Sequence, residues 1–144
     1  MPLCLPVGKA SRAGFSTFRQ EMNTMSQILI VDDSRSIREL LTSVLVGAGF
    51  TVTSAEDGED GLNVAKSQKF DLVITDINMP VMDGIELLKS LRALPDYAFR
   101  PILILTTEFS QEMKMKGKTA GATGWLVKPF DPAKLIDVIK RVLG

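Results

Sequence analysis

Asp32, Asp33, Asp76, Thr106 and Lys128 are the side chains of this sequence whose types and positions could handle a phosphoryl group. A carboxylate can attack phosphorus or bind a hard divalent cation. A lysine ammonium and a threonine hydroxyl can stabilise the negative charge that develops on phosphoryl oxygens. The five residues therefore predict a phosphoryl-accepting site, on condition that the fold brings them together.

Short apolar runs precede these positions, and such runs favour buried parallel strands. The runs cover residues 28–31, 72–75, 102–105 and 125–127. Ligands of an open α/β sheet bind just beyond the carboxyl ends of its parallel strands. The polar residues that follow the four runs should consequently face one crevice.

Helical spacing of apolar residues separates the strands and predicts a (βα)5 order in an α/β fold. One further strand is expected over residues 50–54, with a turn at Asp57-Gly58 after it. Pro95 should end the third helix, and Gly117 weakens the fourth. Apolar helical patterns lie at residues 37–45, 62–65, 85–91 and 135–143, and the fourth helix is expected after Ser110, which could cap it.

Residues 1–25 differ from the rest because they lack apolar periodicity and carry basic residues with no acid before Glu21. We expect a disordered N-terminal extension, or an upstream start codon with Met22 or Met25 as the natural beginning. The patterned domain is then residues 26–144.

Composition limits the classes of function. Seventeen basic residues balance seventeen acidic ones, so no net charge directs the chain to nucleic acid or anionic membranes. No apolar run approaches the roughly 20 residues that span a bilayer. The sole cysteine is Cys4, and histidine is absent, so zinc clusters, disulfides and histidine catalysis are unsupported. We expect a cytoplasmic protein whose phosphohistidine donor, if it uses one, is a partner.

These motifs resemble the receiver domain of two-component response regulators, in particular its CheY-like, single-domain members. The motifs are Asp32-Asp33, Asp76-Ile77-Asn78-Met79-Pro80 with Met82-Asp83-Gly84, Thr106, and Lys128-Pro129-Phe130. The resemblance implies a flavodoxin-like, doubly wound, parallel five-stranded sheet in the order 2-1-3-4-5. It also implies a cis peptide bond between Lys128 and Pro129.

The resemblance assigns a role to each site residue. Asp76 would accept the phosphoryl group from a histidine kinase or phosphotransfer protein. Mg²⁺ would be bound directly by Asp33 and Asp76, through water by Asp32, and by the backbone carbonyl of Asn78. Lys128 and Thr106 would contact phosphoryl oxygens. The protein would then be a switch and not an enzyme, because it would catalyse only its own phosphorylation and dephosphorylation.

Signalling would use Thr106 and Trp125 as switch residues, with Trp125 moving inward after phosphorylation. The partner face would be the fourth helix, fifth strand and fifth helix, where Lys114, Lys116 and Lys118 cluster. No residues follow Gly144 for an output domain, so we expect output through a protein partner, such as a flagellar-switch protein in chemotaxis. A phosphorelay intermediate is the alternative.

The same residues bear on two other classes of protein. A phosphatase resembling haloacid dehalogenases would need an aspartate two residues after the nucleophile, where Asn78 stands. A flavodoxin-like flavin protein would need a hydroxyl-rich phosphate loop after the first strand, where Asp32 and Asp33 repel phosphate. Both are disfavoured.

Overall fold

Strands and helices alternate throughout residues 26–144, the part of the chain that this computed structural model describes. The extension predicted for residues 1–25 lies outside the described residues. The elements are β1 (Gln27–Val31), α1 (Arg35–Gly47), β2 (Thr51–Ala55), α2 (Gly58–Ser67), β3 (Leu72–Thr75), α3 (Gly84–Arg92), a 3-10 turn (Pro95–Tyr97), β4 (Ile102–Thr106), α4 (Gln111–Ala120), β5 (Gly124–Val127) and α5 (Pro132–Leu143). Within this range the sheet has five parallel strands in the order β2-β1-β3-β4-β5, which confirms the predicted order.

Helices cover both faces of the sheet, and two apolar clusters form. One cluster packs α2, α3 and α4 against the sheet, and the other packs α1 and α5. Strands β1, β3 and β4 are covered on both sides, so almost every residue in them is buried. This explains why they read as continuous apolar runs instead of alternating ones. Across residues 26–144, no helix has the length and apolar character needed to cross a membrane.

Side-chain caps start the helices close to the strand ends. Asp83 accepts a hydrogen bond from Glu86 N while the Glu86 carboxylate accepts one from Asp83 N, a complete capping box. Ser110 caps α4 by accepting from Met113 N, and Asp131 caps α5 by accepting from Ala133 N. Each such cap contributes about 1 kcal/mol. The loops that carry the candidate site are therefore tied at their helical ends.

The predicted turn at Asp57-Gly58 is wrong. Asp57 is the N-cap of α2 and accepts a hydrogen bond from Asp60 N at 2.8 Å, so Gly58 is the first helical residue. An Asp-Gly pair suits either structure locally. The second strand also starts one residue later than predicted, because Phe50 N donates to Leu45 O at the end of α1.

The third helix ends at Arg92, before the predicted stop at Pro95, which instead begins the 3-10 turn. This turn buries Tyr97, whose hydroxyl lies 2.9 Å from the carbonyl oxygens of Ala65 and Gln68. The segment between α3 and β4 is thus fastened to the end of α2.

Candidate functional site

Asp32 and Asp76 lie side by side because β1 and β3 are paired with Val31 opposite Thr75. Lys128 follows β5 and reaches across to both. Its Nζ lies 2.6 Å from Asp32 Oδ2 and 2.9 Å from Asp76 Oδ2. None of the three side chains is more than 11% exposed. The fold thus places a buried ammonium between two buried carboxylates at the carboxyl edge of the sheet.

Asp32 is held at every polar atom. Its Oδ1 accepts a hydrogen bond from Ser34 N at 2.9 Å, and its own N–H donates to Ala55 O at 3.2 Å. Arg38 Nη1 donates to the Asp32 carbonyl at 2.6 Å. With Lys128 on Oδ2, the carboxylate has no freedom to rotate without losing a bond. The contact from Arg38 had no signal in the sequence.

Asp76 is fixed by its own loop. Its Oδ1 accepts from Ile77 N at 2.6 Å, and its N–H donates to Val31 O at 2.9 Å. Gly84, the first residue of α3, packs against the backbone carbonyl of Asp76, and a Cβ atom at Gly84 would overlap that carbonyl oxygen. The sequence motif contained Gly84, but only the structure shows that this close approach requires it.

Three carboxylates form a candidate cation site. One oxygen from each of Asp32, Asp33 and Asp76 lies within 4.8 Å of the others. Asp33 is exposed while Asp32 and Asp76 are buried, so the cluster opens to solvent on the Asp33 side. Asn78, the fourth predicted ligand, lies exposed in the loop between β3 and α3. An all-oxygen set with one open side suits Mg²⁺, which keeps several of its waters.

Burial and pairing act in opposite directions on the charges. Burial raises the pKa of Asp32 above its ordinary value, and its hydrogen bonds with Lys128 and Ser34 only partly offset this. Burial also acts to lower the pKa of Lys128, but its hydrogen bonds to Asp32 and Asp76 outweigh burial and the net pKa is raised. Lys128 is consequently a firmly held cation at neutral pH.

Thr106 and Trp125 both form hydrogen bonds with the backbone of Glu108. Thr106 is wholly buried at the end of β4, and its Oγ1 accepts from Glu108 N at 3.2 Å. Trp125, half-buried on β5, donates from Nε1 to Glu108 O at 3.0 Å. The two predicted switch residues are therefore connected through Glu108, although their side chains belong to different strands.

The remaining predicted features have definite positions. The Lys128–Pro129 peptide bond is cis, as predicted. Lys116 and Lys118 are exposed on α4, while Lys114 is half-buried. Two of the three lysines that cluster on α4 are therefore exposed.

This fold and this buried lysine-carboxylate site are those of a receiver domain. The model of the response regulator receiver domain matches residues 28–140, and the chain belongs to that family. It is 38% identical over 122 residues to the chemotaxis protein CheY-3 of Vibrio cholerae, covering 84% of this chain and 94% of that protein.

Solved structures agree with this family. Vibrio cholerae chemotaxis protein CheY4 has a TM-score of 0.79 and 50% identity, covering 82% of this chain and 98% of that one. The receiver domain of a sensor histidine kinase from Pseudomonas aeruginosa PAO1, solved with magnesium in its active-site cleft, has a TM-score of 0.78 and 29% identity, covering 83% and 98%. The family supports a phosphoacceptor role in a two-component system.

Proposed function

We propose that this protein is a single-domain response regulator that accepts a phosphoryl group on Asp76 from the phosphohistidine of a kinase or phosphotransfer protein. The observation that carries the proposal is Lys128, whose ammonium bridges Asp32 and Asp76 at the strand ends. The CheY relatives add support, since this chain matches almost their whole length.

In the proposed reaction, an Asp76 carboxylate oxygen attacks phosphorus and the phosphorus–nitrogen bond to the partner's imidazole breaks. The product is an aspartyl phosphate, and the imidazole nitrogen takes up a proton from solvent. The attack needs no side-chain base, since the nucleophile is a carboxylate paired with the Lys128 ammonium. Lys128 would stay beside a phosphoryl oxygen as a fixed cation, and the Thr106 hydroxyl would donate to another.

Mg²⁺ fits the carboxylate cluster by donor type and by the 4.8 Å spacing. Asp33 and Asp76 would hold it directly, Asp32 through water, and the Asn78 carbonyl would complete the protein ligands. When bound, it would supply positive charge that offsets repulsion between the acidic cluster and the incoming phosphoryl group. Asp32 would meanwhile stay oriented by Ser34 and Lys128.

Phosphotransfer from a histidine kinase labelled with radioactive phosphate tests this assignment. Asp76→Asn should abolish labelling, and Asp33→Asn should make labelling require much more Mg²⁺. Asp137→Asn, an exposed aspartate on α5, is the matched control and should label normally. Labelling that persists in Asp76→Asn would place the acceptor elsewhere.

The switch would run from the phosphoryl group to Thr106, through Glu108, to Trp125. When the Thr106 hydroxyl turns to the phosphoryl group, the loop at Glu108, whose N–H contacts Thr106 and whose carbonyl accepts from the indole, would shift with it. Beryllofluoride with Mg²⁺ should then change Trp125 fluorescence in the wild type but not in Asp76→Asn. An unchanged signal in the wild type would contradict this coupling.

Output would pass through the face formed by α4, β5 and α5, where Lys114, Lys116 and Lys118 cluster on α4. Binding of the beryllofluoride-loaded protein to a flagellar-switch protein would support chemotaxis-type output. Binding to a phosphotransfer protein alone would favour the phosphorelay alternative. The same proposal includes a cytoplasmic location, because ATP-driven phosphotransfer takes place in the cytoplasm. It also includes that the protein catalyses only its own phosphorylation and dephosphorylation and turns over no other substrate.

A further inference from the structure

Helix α4 has no side chain at the point where it meets Trp125. A Cβ atom at Gly117 would lie 2.7 Å from Cζ3 and 3.1 Å from Cε3 of the indole. Gly117 is the buried residue of this helix, flanked by the exposed residues Lys116 and Lys118. The six-membered ring of Trp125 therefore occupies the place that a side chain at 117 would need.

The opposite end of the same indole is also held. Nε1 donates to Glu108 O at 3.0 Å, in the loop just before α4. Because the indole is rigid, it can pack against Gly117 and donate to Glu108 O at the same time in only one position. Motion of the ring away from Gly117 would lengthen the bond to Glu108, or break it.

We propose that Gly117 is a positioning residue for Trp125, a notch in α4 that seats the indole on the Glu108 carbonyl. The inference rests on the proposed switch function, while the seating is a packing contact that can be measured by itself. It explains a glycine in the interior of a helix, where alanine would otherwise favour helix formation.

The notch has a consequence for activation. The seated position is the inward position of Trp125 in the proposed switch, and packing against α4 favours it. If phosphorylation and the inward position favour each other, then weakening one must weaken the other by the same factor. Filling the notch should therefore reduce the affinity for Mg²⁺-beryllofluoride without touching the acidic site.

Gly117→Ala tests the seating directly. The added methyl group should displace the indole, so that its emission moves to longer wavelength and iodide quenches it more strongly. Protection of the Trp125 indole N–H from hydrogen exchange should fall by roughly two- to tenfold, the change in equilibrium that corresponds to one net hydrogen bond. Gly47→Ala in α1 is the matched control, since a Cβ there meets nothing within 4 Å. It should leave all three readouts unchanged.

A double-mutant comparison separates steric seating from helix propensity. In a Trp125→Ala background the notch is empty, so Gly117→Ala should raise the midpoint of thermal unfolding, as Gly47→Ala should. With Trp125 present, Gly117→Ala should give less of that rise or none. Equal rises in both backgrounds, or an indole unaffected by Gly117→Ala, would overturn the proposal.

The affinity for beryllofluoride in the presence of Mg²⁺ completes the test. Gly117→Ala should weaken it by a factor similar to the loss of indole protection. An unchanged affinity together with a displaced indole would overturn the link to activation while leaving the seating intact. Failure of the wild type to bind beryllofluoride would instead contradict the proposed function itself.

Discussion

Replacing Lys128 with methionine tests whether its ammonium is what allows Asp32 and Asp76 to stay charged in the folded protein. The ammonium lies 2.6 and 2.9 Å from the two carboxylates, and none of the three side chains is more than 11% exposed. Methionine keeps an unbranched apolar stem of similar reach but removes the charge. Lys128→Met would leave two buried carboxylates facing each other, and we expect the free energy of unfolding to fall.

The size of the loss follows from the simplest response, which is protonation of one carboxylate. Keeping an aspartate with an ordinary pKa of about 3.9 protonated costs about 4 kcal/mol at pH 7 and about 1.5 kcal/mol at pH 5. These values are upper limits on the unfolding free energy lost through that carboxylate at each pH. The sign follows because its pKa in the folded variant is raised above the unfolded value. Stability is then retained at low pH and lost as the pH rises toward the raised pKa.

Urea unfolding in EDTA at pH 5 and pH 7 would measure these losses relative to the wild type. Lys134→Met, a change at an exposed lysine of α5, is the matched control and should cost less than about 0.5 kcal/mol at either pH. Added Mg²⁺ should restore part of the loss at pH 7, because binding to the folded state stabilises it. An equal loss at both pH values would refute the electrostatic reasoning and assign the effect to lost packing.

Three further changes probe the frame around the site. Arg92→Met should cost about 3 kcal/mol in urea unfolding. The guanidinium donates to the carbonyls of Tyr97, Arg100 and Gly121 at 2.6–3.0 Å, and these partly buried acceptors would lose their partner. A loss below about 1 kcal/mol would contradict this. Gly84→Ala should weaken Mg²⁺ binding about tenfold or more by displacing the loop of Asp76, as calorimetric titration would show. Val81→Asn should raise stability by about 1 kcal/mol in thermal unfolding, because Val81 is 73% exposed and has a φ of 72°, which asparagine tolerates better. An unchanged or lower midpoint would count against that strain.

Much of the fold could be predicted because its signals are local. Strands β1, β3 and β4 stood out as unbroken apolar runs, since both of their faces are buried. The caps at Asp83 and Asp131 were recognisable because a cap acts within three residues of itself. The same locality caused the error at Asp57, where a cap and a turn share one dipeptide signature. The burial of Tyr97 in a 3-10 turn had no local signal.

The candidate site was predictable in its parts but not in its contacts. The carboxyl ends of parallel strands lie along one edge of the sheet, so the grouping of Asp32, Asp76 and Lys128 could be predicted from their positions after the strands. The need for glycine at positions 84 and 117 could not be predicted, because each depends on a close neighbour from another part of the fold. Read alone, Gly117 was only a weakness in a helix.

The sequence by itself determined the order of the elements, the oxygen and ammonium groups available, and the lack of a histidine to donate phosphate. Tertiary structure alone decided that Lys128 touches Asp32, a residue 96 positions earlier, and that it bridges to Asp76. It also decided that an indole fills the space at Gly117. Helix and strand preferences act over a few residues, whereas a contact between distant residues exists only once the whole sheet and its helices have packed.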